Sequence, residues 1–175
     1  MKLIVVDDND NVLGYESKEK CHRRDGIRHR AFSVFLFNGK TELLVQQRSV
    51  QKPLWPLYWS NSVCSHPVKD ESCEQAARRR VIEEIGVELT PVFLFKFLYH
   101  TRYKTVGSEK ELCSVFIGKS DADISANPEE IAAFKYMPIP ELDREMEKNP
   151  DSFTPWFRIE WQRIKRDHLK DIEDL

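Results

Sequence analysis

The 175-residue chain has no large excess of charge of either sign: 27 Lys and Arg stand against 29 Asp and Glu, for a formal net charge of -2. That near balance gives neither the basic footprint of a nucleic-acid binder nor a polybasic membrane anchor, and no partner of either kind is expected. The four cysteines, Cys21, Cys64, Cys73 and Cys113, form no C-x-x-C pair, so free thiols in a reducing compartment are expected. Leu3 to Val6 is apolar but gives way at once to Asp7-Asp8. A secretory signal would need a longer apolar core, so this segment reads as a first strand of a cytoplasmic protein. Repeats, low-complexity linkers and glycine-rich flavin or dinucleotide motifs are absent as well, and no redox cofactor is expected.

What is present is the composition of a globular protein, with 41% hydrophobic and 32% charged residues. The length suits one domain over residues 1–175 with a substantial core. Ala31 to Phe37 is a nearly continuous apolar run, which places that strand inside the structure. Asn38-Gly39 follows it and Glu42 to Gln47 comes next, the pattern of a hairpin whose turn takes positive φ at Asn-Gly. Leu3 to Val6, Phe93 to Tyr99 and Leu112 to Ile117 read as further strands. Ser72-Cys73-Glu74-Gln75 has the form of a capping box and opens a helix from Ser72 to Ile85 that Gly86 stops. Pro155 at a first helical position, with Phe157, Trp161 and Ile164 on one face, opens a C-terminal amphipathic helix. The expected class is α+β, a mixed β-sheet packed between α-helices.

Several residues invite chemical readings that none would carry alone. Cys64 lies in Asn61-Ser62-Val63-Cys64-Ser65-His66-Pro67. Taken singly it is a buried inert thiol, as Cys73 and Cys113 are expected to be. Glu109 and Glu111 are two apart, so on an extended strand both point to one face while Lys110 points away. Two neighbouring carboxylates repel unless a cation or proton lies between them. His22 and His29 lie just before the apolar strand from Ala31 to Phe37 and, taken singly, are surface or capping residues. Arg80 and Glu84 are four apart on one helix face, an ordinary ion pair by spacing alone.

From Ser65 through Glu71 to Arg79-Arg80-Val81-Ile82-Glu83-Glu84-Ile85-Gly86-Val87, the spacing resembles the Nudix box, G-x5-E-x7-R-E-U-x-E-E-x-G-U, where U is aliphatic. Ser65 stands in place of the first glycine and Arg80 in place of the glutamate after arginine. Both departures count against a Nudix hydrolase acting on a nucleoside diphosphate derivative, the competing function, because hydrolases use that helix's glutamates to bind catalytic metal. A catalytically silent binding module on the same fold is a third class.

The segment around Cys64 looks like the catalytic segment of type 1 isopentenyl-diphosphate isomerases, a Nudix-fold branch. Trp55-Pro56, Glu109-Lys110-Glu111 and Phe153-Thr154-Pro155-Trp156 fall in the matching order. The resemblance implies interconversion of isopentenyl and dimethylallyl diphosphate through a tertiary carbocation, in isoprenoid biosynthesis. It implies Cys64, Glu111 and Tyr103 as catalytic residues, with Tyr99 as the alternative tyrosine. It implies Lys18, Arg48, Lys52 and Arg80 on the substrate diphosphate, with Trp156, and Trp59 beside it, facing the cation. His22, His29, His66, Glu109 and Glu111 would hold one Mn2+, Zn2+ or Mg2+, and Glu84 would hold a separate Mg2+ on the diphosphate. The expected partner is a small prenyl diphosphate, and the expected state is a monomer.

Overall fold

A computed structural model describes residues 1–175, and its central feature is a nine-stranded mixed sheet. Strands β1 (Lys2–Val6) and β2 (Val12–Ser17) form an antiparallel pair, and the short helix α1 (Lys18–His22) follows directly. β3 (His29–Phe37) is the hub of the sheet. It pairs in parallel with β8 (Gly107–Lys119) on one side and antiparallel with the short β6 (Val63–Ser65) on the other. β4 (Glu42–Arg48) carries β5 (Trp59–Ser60) and β9 (Ile131–Pro138), and β7 (Val92–Tyr103) forms a long antiparallel pair with β8.

Side chains alternate across a strand, so β3 and β8 each divide into two faces. Phe32, Val34, Leu36 and Phe116 pack with Ala76, Ala77, Val81 and Ile85 of helix α2 (Cys73–Ile85). On the other face Phe35, Phe37, Val115 and Ile117 pack with Phe157, Trp161 and Ile164 of helix α4 (Pro155–Asp167). Between β9 and α4 lies α3 (Ile139–Lys148), tied to α4 by Trp161 Nε1, which donates to Asp143 Oδ1 at 2.8 Å. The final helix, α5 (Leu169–Glu173), closes the chain. This is the expected α+β sandwich of helices around a mixed sheet. No helix is long and apolar enough to cross a membrane.

The capping box forms as read: Gln75 N donates to Ser72 Oγ and Ser72 N to Gln75 Oε1. At the other end Gly86 takes φ 72°, and a Cβ there would lie 2.9 Å from Ser125 Cβ. Gly86→Ala is therefore expected to cost about 1–3 kcal/mol of stability, from left-handed strain and that overlap, readable as a lower urea midpoint with unchanged slope.

The Asn38-Gly39 turn is built differently from the expected tight hairpin. β3 and β4 pair only at Phe37 and Leu43, and the positive φ falls on Thr41 at 61°. Asn38 Oδ1 accepts from the backbone of Lys40 and Glu42, and Gly39 N donates to Asp121 Oδ1 at 2.6 Å. Glycine serves close approach here, since a Cβ on Gly39 would sit 2.7 Å from Asp121 Oδ2.

Candidate active site and metal centre

Strand register assembles the site on the α4 face of the sheet. His29 lies beside Glu111 across the parallel β3–β8 pair, and Tyr99 lies opposite Glu111 across β7–β8. Cys64 lies opposite Ser33 across β3–β6. Paired residues share a face, so the thiol on one flank of β3 and the carboxylate on the other open onto one cavity. That cavity is about 420 Å³, and its wall includes Lys18, Ser33, Arg48, Lys52, Cys64, His66, Tyr99, Glu109, Glu111 and Trp156.

His22, His29, His66, Glu109 and Glu111 offer five ligand atoms, all within 4.8 Å of one another. His22 Nδ1 and His29 Nδ1 lie 2.7 Å from the carbonyls of Lys18 and Ile27 respectively. A carbonyl only accepts, so each Nδ1 carries a proton, and with a metal bound each Nε2 would present a lone pair. Those Nε2 atoms face carboxylate oxygens: His22 Nε2 is 2.8 Å from Glu109 Oε2, and His29 Nε2 is 3.4 Å from Glu111 Oε1. Both nitrogens and Glu109 Oε2 are buried without a hydrogen-bond partner. Burial and the neighbouring imidazoles also hold His66 well below its usual range, in the neutral form that binds metals. Lone pairs converging without donors are what a divalent cation satisfies, and three nitrogens with two carboxylates suit Mn2+, Zn2+ or Mg2+.

The tyrosine on this centre is Tyr99. Its hydroxyl donates to Glu111 Oε2 at 2.5 Å, and His66 Nε2 is 2.8 Å from the other oxygen, Oε1. Burial, with the charge of Glu111 adding to it, raises the Tyr99 phenol well above its ordinary value, so it stays protonated. Tyr103, the expected active-site tyrosine, lies away from Glu111. It pairs with Gly107 near the end of the hairpin and packs against Trp55 and Tyr58. The physical reason is that β7 runs on through Tyr103, four residues past its expected end at Tyr99, so the rung opposite Glu111 belongs to Tyr99.

Cys64 is half-buried, and burial pushes its thiol up to about 11 against the opposing Arg48 charge. Arg48 Nη1 lies 3.8 Å from Cys64 Sγ, while its Nε and Nη2 donate to the carbonyls of Trp55 and Leu54. The same guanidinium sits over the Trp156 ring at 5.2 Å. Trp156 in turn meets Trp55 edge-on at 5.3 Å and Tyr99 at 6.4 Å. Trp59, expected in the enclosure, instead faces Lys135 and is absent from the cavity wall. Trp55 takes its place in the aromatic group.

Among the expected diphosphate groups, Lys18, Arg48 and Lys52 line the cavity and Arg80 and Glu84 do not. Arg80 reaches Lys52 through Glu130: its Nη2 donates to Glu130 Oε1 at 2.8 Å, and Glu130 Oε2 accepts from Lys52 Nζ. Arg80 Nη2 also donates to Glu84 Oε1 at 2.6 Å, and the Glu84 side chain is only 1% exposed, so this is a buried pair rather than a surface one. The remaining box carboxylates are likewise held by arginines, Glu71 by Arg79 and Glu83 by Arg79 and Arg80. Glu130 has no counterpart among the sequence-derived candidates.

Comparison with known proteins identifies the family. The NUDIX domain matches residues 27–157. Isopentenyl-diphosphate Delta-isomerase 1 of Photorhabdus laumondii is 43% identical over 97% of this chain and 98% of its own length. The isopentenyl-diphosphate Delta-isomerase of Pectobacterium atrosepticum is 36% identical over 93% of this chain and 90% of its own. A MutT protein from Methanosarcina mazei superimposes with a TM-score of 0.66 at 21% identity, covering 81% of this chain and 96% of that one, a likeness of fold. Identity sustained over nearly the full length of such relatives, on a chain whose box has lost a glutamate, establishes membership in the type 1 isopentenyl-diphosphate Delta-isomerase family of the Nudix superfamily.

Proposed function

We propose that the protein interconverts isopentenyl diphosphate and dimethylallyl diphosphate by adding a proton at one carbon and removing one from another. The carrying observation is the single cavity holding Cys64 on one flank of β3 and the hydrogen-bonded Tyr99–Glu111 pair on the other. An unactivated alkene needs an acid on one part of the substrate and a base on another, because the protonated intermediate is a tertiary cation.

In the forward direction the Glu111–Tyr99 pair delivers a proton to the terminal methylene carbon. Cys64 removes a proton from the carbon between the cation and the diphosphate-bearing carbon, and the new double bond forms there. The reverse reaction exchanges these roles. Arg48, 3.8 Å from the sulfur, is the group that offsets the burial cost of a thiolate. The Trp156 ring, backed by Trp55 and Tyr99, faces the cation and excludes water, and a desolvated ring face contributes about 2 kcal/mol. A divalent ion among the three imidazoles and two carboxylates would orient Glu111 and tune its basicity. Lys18, Arg48 and Lys52 receive the diphosphate from the cavity wall, with Arg80 behind them, and the family resemblance gives Glu84, paired with Arg80 there, as the group that would hold a Mg2+ travelling with the substrate.

Incubation with isopentenyl diphosphate and Mg2+ in deuterated water, followed by NMR, tests the reading. Dimethylallyl diphosphate carrying deuterium in a methyl group is expected. Release of phosphate, or unchanged substrate with folded and metal-loaded protein, would overturn it.

A further inference from the structure

Glu130 links the two basic groups that the resemblance assigns to the diphosphate, yet it belongs to no motif. Its carboxylate accepts from Lys52 Nζ with one oxygen and from Arg80 Nη2 with the other. Its backbone is fixed as well: Ser49 N donates to Glu130 O at 2.9 Å, and Glu130 N donates to Asn127 O at 3.0 Å. Asn127 N donates in turn to Glu84 O at 2.8 Å, so the segment is keyed both to the loop carrying Lys52 and to the last turn of α2. The carboxylate is therefore held on Lys52 and Arg80 by the fold and is not a mobile surface group that happens to lie there.

The cavity wall contains three cations, Lys18, Arg48 and Lys52, with Arg80 one residue removed. Such a cluster is destabilising unless anions neutralise it. Glu130 and Glu84 do so, and Glu130 is the one that touches a cation of the wall itself. A bound diphosphate presents the same chemistry, two anionic oxygens for an ammonium and a guanidinium.

We infer that Glu130 is a positioning residue that occupies the place of the diphosphate on Lys52 and Arg80 in the empty enzyme and yields those donors when substrate binds. This rests on the isomerase reading for the identity of the substrate, but not for the competition itself. Burial raises the Glu130 carboxyl, yet Lys52 and Arg80 more than reverse this and hold it at about 2. It is thus an anion across the working range of pH. Its cost and benefit follow from competition. The cations stay ordered and neutralised before substrate arrives, affinity for the diphosphate half is lower than four unpaired cations would give, and product leaves faster.

The direct test is calorimetric binding of inorganic diphosphate with Mg2+ to the wild type, Glu130→Gln and Glu130→Asp, with kcat and KM measured alongside. Competition predicts that Glu130→Gln binds diphosphate roughly tenfold more tightly, the scale expected when an opposing charge is removed from a shared site. KM should fall by a similar factor and more than kcat changes, and Glu130→Asp, which keeps the charge, should return affinity toward wild type. Weaker or unchanged diphosphate binding by folded Glu130→Gln would overturn the inference and leave Glu130 a purely structural tether. Because the probe is inorganic diphosphate, failure of the isomerase reading would show separately, as absence of dimethylallyl diphosphate in all three proteins.

Discussion

Cys64→Ala and Glu111→Gln are each expected to lower isomerase turnover by roughly 10³-fold or more, in line with the loss of a positioned acid or base, while the protein remains folded. The two variants should fail differently. Without Cys64 the Tyr99–Glu111 pair still adds a proton to the terminal carbon and can take one back from the methyl group so formed. In deuterated water the Cys64→Ala protein should therefore introduce deuterium into the methylene of isopentenyl diphosphate without making dimethylallyl diphosphate. Glu111→Gln should do neither, because protonation is the entry to the cation. Thiol and carboxylate lie on opposite flanks of β3, so neither substitutes for the other. Dimethylallyl diphosphate formed by either variant within tenfold of the wild-type rate would sink the assignment of roles. Failure of the Cys64→Ala protein to exchange deuterium would remove Glu111 as the acid while leaving Cys64 in place.

The parts of this arrangement that were legible in the chain are those fixed by local chemistry. Ser72 and Gln75 announce the start of α2 because capping is a contact between neighbours, and Gly86 ends it because its left-handed φ is a local need. The alternation of Glu109 and Glu111 follows from strand geometry alone. Short elements were not legible: β5 and β6 span two and three residues and are held by pairing with β4 and β3, which no local pattern reveals.

Tyr99 is an intermediate case. Extending β7 to a hairpin that closes between Tyr103 and Gly107, then counting rungs, sets Tyr99 opposite Glu111. That signal lay in the sequence but needed the turn to be located first. Glu130 was beyond reach, since its meeting with Lys52 and Arg80 depends on β9 pairing with β4 at Arg48 and Ile131, a register set by distant segments.

Glu160 was equally hidden, a charged residue on a helix that reads as amphipathic, and it carries the second large prediction. It lies one turn beyond Trp156 on α4 and is fully buried. The thiol of Cys113 donates to its Oε1 at 3.5 Å, and Oε2 has no partner. Burial, reinforced by the charge of Glu111 and only partly offset by Ser33 and Cys113, pushes its carboxyl up from 4.5 to about 8. Between these values the folded protein keeps a proton that the unfolded chain has released, so the folded state binds more protons and stability must fall as pH rises. The Glu160 contribution is fully present below about pH 4.5 and lost as pH passes about 8. At about 1.4 kcal/mol per pH unit the whole change is roughly 4–5 kcal/mol, a large share of a typical domain's stability. Glu160→Gln replaces a neutral acid by a neutral amide of the same shape and abolishes this titration. Urea unfolding of both proteins from pH 5 to pH 8.5 should give similar stability at the acid end and a variant progressively more stable toward the alkaline end. Other carboxylates titrate in both proteins and cancel in the difference. Parallel stability curves across that range would show that Glu160 is ionised in the fold from the start, and that its unpartnered oxygen is stabilised by something other than a proton.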